Sequence, residues 1–95
     1  MPYIDTQARE RLVETEQPLN AGEIQYMIAV MIKDYLAYIK TTKGKYRYQD
    51  LNDILGAPNG ANIEFYRRVV APYENDKIDE NGDCFVCDDS GACKL

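Results

Sequence analysis

The chain has no histidine, no tryptophan, only two phenylalanines and no uninterrupted apolar run of bilayer length. Without histidine it lacks the commonest general acid/base and the commonest metal ligand. No Gly-x-Ser-x-Gly, P-loop or dinucleotide fingerprint takes its place, so an enzyme is not expected. The longest apolar stretch, Ile24 to Ile39, contains Lys33 and Asp34 and falls short of the roughly 20 residues that cross a membrane. The residues after Ile4 are polar, and no basic start leads into an apolar run, so the expectation is a cytosolic protein that neither crosses nor docks on a membrane. Cysteine is also scarce. Cys84, Cys87 and Cys93 are too few for a four-ligand zinc site without histidine, and odd in number for a complete disulfide framework. Reduced thiols, zinc completed by an aspartate and redox pairing all stay open, and no metal or cofactor is expected.

What is present describes a small folded protein. Ninety-five residues, 45% hydrophobic and 28% charged, suit one domain rather than a disordered chain. A chain of this length buries only about two-thirds of its unfolded surface, which leaves little room for a deep private cavity. Eight tyrosines supply most of the aromatic content and favour surfaces that are half apolar and half wet. The net charge of −5 resides entirely from Tyr73 onward, where seven acids face Lys77 and Lys94. The neutral remainder offers no positive footprint for duplex nucleic acid.

The periodicity predicts an all-α fold with a helical domain over residues 1–83 and an acidic, irregular or β tail over 84–95. Thr6 to Glu16 reads as a charged first helix, capped by Asp5 or Thr6, that lies on the outside. Asn20-Ala-Gly-Glu23 has capping-box spacing and opens a second helix over Glu23 to Ile39, apolar on more than one side. Such a helix must be covered on more than one side. Either copies of the chain pack together, which is the favoured reading, or the neighbouring helices wrap it. Tyr48 to Gly56, with Leu51, Ile54 and Leu55 at helical spacing, reads as a third helix, which Gly56 to Gly60 ends or, as favoured, kinks and continues. From Ile63, a wheel at about 100° per residue gathers Ile63, Tyr66, Val69, Val70 and Tyr73 into a core-facing stripe. Pro72 is expected to end this helix or restart a turn, because the residue before a proline avoids αR geometry. Tyr73 to Asn81 then forms a last short helix that stops at Gly82, and Phe85 and Val86 suit a short strand.

Two places have ligand-like composition. Arg67, at the border of the apolar stripe beside Tyr66 and Tyr73, can hold a phosphate bidentately or stack on a base. The alternative is a snorkelling interface residue. Arg68 is assigned instead to a surface pair with Glu64. The loop Thr41 to Tyr48 interleaves Lys43, Lys45 and Arg47 with Tyr46 and Tyr48, a pattern that serves phosphates and bases or is simply solvated.

Met1-Pro-Tyr-Ile4, Glu64-Phe-Tyr-Arg-Arg-Val-Val-Ala-Pro-Tyr-Glu74, Lys77-Ile78 and Glu80-Asn-Gly-Asp83 carry a further signal. In these segments the chain resembles a family of short phage and prophage proteins, over Met1 to about Asp83. Pro58-Asn-Gly60 departs from that pattern where an unbroken helix is expected, and the cysteine-bearing tail lies outside it. The resemblance implies a phage accessory protein acting in the host cytoplasm. In size, origin and composition the chain is similar to anti-CBASS sponge proteins, which sequester a cyclic nucleotide immune signal without cleaving it. The alternative that remains open is a non-catalytic interaction or inhibitor module that uses its acidic C-terminal surface.

Overall fold

The computed structural model describes residues 1–85 and the backbone of residues 86, 87, 93 and 94. The described body is all-α, and two compact units divide the chain, Met1–Ile54 and Leu55–Leu95.

In the first unit, α1 spans Thr6–Thr15, capped by the Asp5 carboxylate, which accepts the Ala8 N–H at 2.8 Å. It ends at Glu16, whose left-handed backbone (φ 53°) turns its N–H onto the Leu12 carbonyl at 2.9 Å. Helix α2, Ala21–Lys43, opens with the expected box: Asn20 Oδ1 accepts the Glu23 N–H at 2.9 Å. The Glu23 carboxylate reaches back one residue further than a capping box requires, accepting the Leu19 N–H at 3.0 Å. At its other end α2 outruns the predicted Ile39 by a full turn. Lys40 and Lys43 complement the negative end of the helix dipole, and Gly44, at φ 83°, supplies the stop by donating its N–H to the Lys40 carbonyl at 3.0 Å.

Two expectations about this unit need correcting. Helix α1 is not merely an outer element, because its Leu12 is 4% exposed and, with Ile39 at 2%, is one of two buried apolar residues among those described. The sequence counted apolar residues on α1 without seeing that one well-placed leucine suffices. The long α2 is present, but it is no uniformly apolar rod and no described helix could cross a membrane. Lys33, Asp34 and Lys40 interrupt it, and Ile24, Met31 and Tyr38 stay 49%, 69% and 61% exposed.

Helix α3, Tyr48–Phe65, carries Pro58 inside it, so the segment continues past Gly56 to Gly60, as favoured from sequence, rather than ending there. Proline has no N–H to give the Ile54 carbonyl, and its ring crowds that carbonyl. The Asn59 side-chain amide donates to the adjacent Leu55 carbonyl at 2.9 Å, which leaves the Ile54 carbonyl without its α-helical donor.

In the second unit the chain past Phe65 also stays helical. Tyr66–Val70 forms a π-helical turn, closed by the Ala71 N–H on the Tyr66 carbonyl, and α4 follows over Ala71–Asn81 with Pro72 in its first turn. This corrects the break expected at Pro72. Ala71 adopts αR geometry (φ −61°, ψ −45°), and the wider turn before Pro72 gives its ring space that a regular α-helix would deny it. The turn also sets later residues back by about one position, roughly 100°, so the wheel loses register after Val70. The stripe itself is not buried in the chain: Ile63, Tyr66, Val69 and Tyr73 are 55–66% exposed. Spacing shows which residues share a face, not whether anything covers it. Gly82, at φ 89°, stops α4 with its N–H on the Ile78 carbonyl at 2.8 Å. Strands β1, Val86–Cys87, and β2, Cys93–Lys94, pair antiparallel with Cys87 opposite Cys93, one residue beyond the strand expected at Phe85. Cys84 is a free, exposed thiol, whereas Asp88, Asp89 and the thiol chemistry expected of Cys87 and Cys93 lie outside the described residues.

Pro58→Ala restores a donor to Ile54 and removes the ring clash. It is expected to raise stability, by up to about 3 kcal/mol, read as a higher thermal midpoint. An unchanged or lower midpoint would show that packing of the half-buried ring outweighs the helix defect.

Candidate functional site

Of the five residues singled out by composition, Lys43 ends α2, Lys45, Tyr46 and Arg47 lie in its connection to α3, and Tyr48 opens α3. Asp50, only 4% exposed, organises them: it accepts the Arg47 N–H at 3.0 Å and pairs with Lys43 Nζ at 3.5 Å. A buried carboxylate needs such partners, so Lys43 is engaged in holding the loop. Lys45 and Arg47 make no side-chain ion pair among the described residues, and Tyr46 and Tyr48 are 45% and 82% exposed. The loop therefore presents two cations and two phenols without enclosing a space.

Tyr66, Arg67 and Tyr73 belong to the second unit. Arg67 makes a forked contact with Glu64, Nη2 to Oε2 at 3.0 Å and Nε to Oε1 at 3.4 Å. Arg68 Nε reaches the same Oε2 at 3.3 Å. The pair expected between Glu64 and Arg68 exists, but the contrast drawn between the two arginines does not hold, since both lean on one carboxylate. One negative charge faces two positive ones, which leaves a cation uncompensated at an exposed surface. Tyr73 carries Lys77 Nζ at 5.5 Å from its ring centre, and Lys77 also pairs with Glu80 at 3.0 Å.

The N-terminal arm forms a third cluster that composition did not reveal. Arg9 Nε donates to the Ile4 carbonyl at 3.0 Å, and its guanidinium lies 5.2 Å from the centre of the Tyr26 ring. Next to it Arg11 pairs with Glu23, which is 6% exposed. The available signal was spacing: Tyr26 and Lys33 lie two turns apart on α2, and the apolar reading of that helix hid them.

The profile of DUF6899, a domain of unknown function, matches residues 1–84. The chain belongs to the DUF6899 family. The DUF6899 match takes in the arm, all four α-helices and the π-helical turn, and it ends at Cys84. No curated protein and no solved structure matches the chain.

In this DUF6899 chain the Glu23 carboxyl is held below the ordinary range, first by the hydrogen bond from Arg11 and then by the Leu19 N–H, against the opposing effect of burial. A lowered folded-state value means that the contact contributes fully above the unfolded value of about 4.3 and is lost as pH falls through the folded value. Thermal unfolding followed from about pH 7 down to about pH 3 should therefore show wild type losing stability more steeply than Glu23→Gln below about pH 4.3. Parallel curves would mean that the ion pair contributes nothing to folding.

Proposed function

We propose that the protein is a non-catalytic module that assembles with copies of itself and sequesters a cyclic oligonucleotide, the part a phage sponge plays against an immune signal in the host cytoplasm. The observation that carries the first half is the set of uncovered apolar faces. Ile24, Met31 and Tyr38 on α2, and Leu55, Ile63, Tyr66 and Val69 in the second unit, stand 49–71% exposed. Scattered exposed apolar residues are ordinary, but runs of them along helix faces mark interaction surfaces. A second copy is the occupant that the chain always has at hand, and a symmetric contact pairs like faces. The second half is supported by the tyrosines beside cations at Tyr46 to Tyr48 and at Tyr66 with Arg67, groups that stack on bases and pair with phosphates. The lack of histidine supports holding the ligand rather than cleaving it.

A second reading has its own observation. Glu74, Asp76, Asp79 and Glu80 are all exposed on α4, with Lys77 the only cation there. Such a surface suits a basic protein partner.

Sedimentation tests the assembly. Wild type is expected to sediment as an oligomer at micromolar concentration, whereas Ile28→Glu with Met31→Glu, both at exposed α2 positions, should give monomer with its helical circular dichroism intact. A stable wild-type monomer would remove the proposed assembly.

Calorimetric titration against cyclic di- and trinucleotides tests the ligand. Arg67→Ala should weaken binding roughly ten- to a hundredfold, the equivalent of about 1.5–3 kcal/mol for a charged hydrogen bond. Glu64→Ala should tighten it, because the carboxylate competes with the phosphate for both guanidiniums. The recovered ligand should be chemically unchanged. Absence of binding across the panel would favour the acidic-surface reading, and a cleaved ligand would make the protein an enzyme.

A further inference from the structure

The arm that precedes α1 lies against α2 and leaves a cleft of about 290 Å³ between them, lined by Tyr3, Arg9, Tyr26, Ala29, Val30 and Lys33. We infer that this cleft is a binding site in its own right for one phosphorylated aromatic group of the nucleoside monophosphate class. It is distinct from the surfaces at Arg67 and at Lys43 to Tyr48, and it stands whether or not the chain takes up a cyclic oligonucleotide.

Charge is the first argument. Both charged residues lining the cleft are cations, no carboxylate lines it, and neither Arg9 nor Lys33 makes an ion pair among the described residues. That is unusual ground in a chain of net charge −5. A neighbouring cleft shares Arg9, Tyr26 and Val30 but adds Glu16 and Asp34, so an anion is drawn to the arm side and turned away from the other.

Preorganisation is the second. Arg9 is fixed by its Nε bond to the Ile4 carbonyl at 3.0 Å and by its place over the Tyr26 ring at 5.2 Å, while its Nη groups make no hydrogen bond among the described residues. A guanidinium held at one end with its fork unused is suited to a phosphate and loses little freedom on binding. Lys33 supplies a second positive charge, Ala29 and Val30 an apolar floor, and Tyr3, 79% exposed, a ring available for stacking.

Size and position decide the ligand class. Small-molecule sites occupy about 300–1,000 Å³, so this cleft sits at the lower limit and takes one ring with its phosphate rather than a dinucleotide. The arm is placed by a close approach at Gly22, where a Cβ would lie 3.1 Å from the Met1 carbonyl oxygen and 3.7 Å from Ile4. A side chain there would push the arm off α2 without touching the cleft.

The experiment is calorimetric titration of the full chain with adenosine monophosphate, inorganic phosphate and adenosine separately. Adenosine monophosphate is expected to bind more tightly than either fragment. Lys33→Glu, at an exposed position, should weaken it by at least about tenfold, Tyr26→Leu and Gly22→Ala should weaken it less, and Arg67→Ala should leave it unchanged. Lys33→Ala replaces Lys33→Glu if circular dichroism shows the latter misfolded. No binding of adenosine monophosphate, binding indifferent to the Lys33 change, or phosphate binding as tightly as the nucleotide would each overturn the assignment.

Discussion

A carboxylate at 6% exposure stays charged only if its surroundings replace the water it has lost, and Glu23 is supplied by Arg11, by the Leu19 N–H and by the Asn20 side chain. Each partner belongs to a different piece of the first unit: α1, the connection after it, and the cap of α2. The charge therefore fixes where α1 meets α2, and Leu12 is buried once α1 is there. Asp50 repeats the device past the far end of α2, drawing Lys43 and the Arg47 backbone onto one buried carboxylate. With only Leu12 and Ile39 buried among the apolar residues described, these two acids define the unit's geometry as much as its hydrophobic contacts do. Such arrangements specify a structure more than they stabilise it, because desolvation of the charges offsets much of their attraction.

The second unit meets a different constraint, two prolines in a continuous helical path. Pro58 lies inside α3, where it withholds an N–H from the Ile54 carbonyl while the next residue, Asn59, sends its side-chain amide to the Leu55 carbonyl. Pro72 is accommodated by a π-helical turn before it, which widens the backbone and places the proline in the first turn of α4. Arg67 and Arg68 lie in that turn. They follow Glu64 by three and four positions, so both guanidiniums reach its carboxylate along the helix surface.

Local signals were the legible ones. The Asp5 cap, the Asn20 box, the stop at Gly82 and the spacing between Glu64 and Arg68 are encoded within about four residues each, and all appear in the structure, whereas the stop at Gly44 was missed and α2 placed a turn too short. What failed was non-local or depended on an irregular turn. Leu12 looked minor on a charged helix because its importance comes from α2. The stripe from Ile63 to Tyr73 looked buried because periodicity is the same on a covered and an uncovered face. The cluster of Tyr3, Arg9, Tyr26 and Lys33 joins three segments of the chain, and no window of sequence contains it. Lys43 was read as a ligand residue from composition, but its partner Asp50 lies seven positions on, just inside the next helix.

The acidic balance of the chain opposes an anionic ligand at long range. At physiological ionic strength, however, charges are screened over about 8 Å, so the residues lining a cleft decide its potential more than the net charge does. The excess acid begins at Tyr73, while Arg9 and Lys33 line their cleft without a carboxylate, and Glu64 alone faces two arginines. A chain of charge −5 thus keeps local positive ground at an aromatic cleft and beside Tyr66. Its remaining charge opposes close approach of further copies, so the proposed self-association would have to draw on covering the exposed apolar residues of α2 and of the Ile63 to Val69 stretch, and would strengthen as salt screens that repulsion.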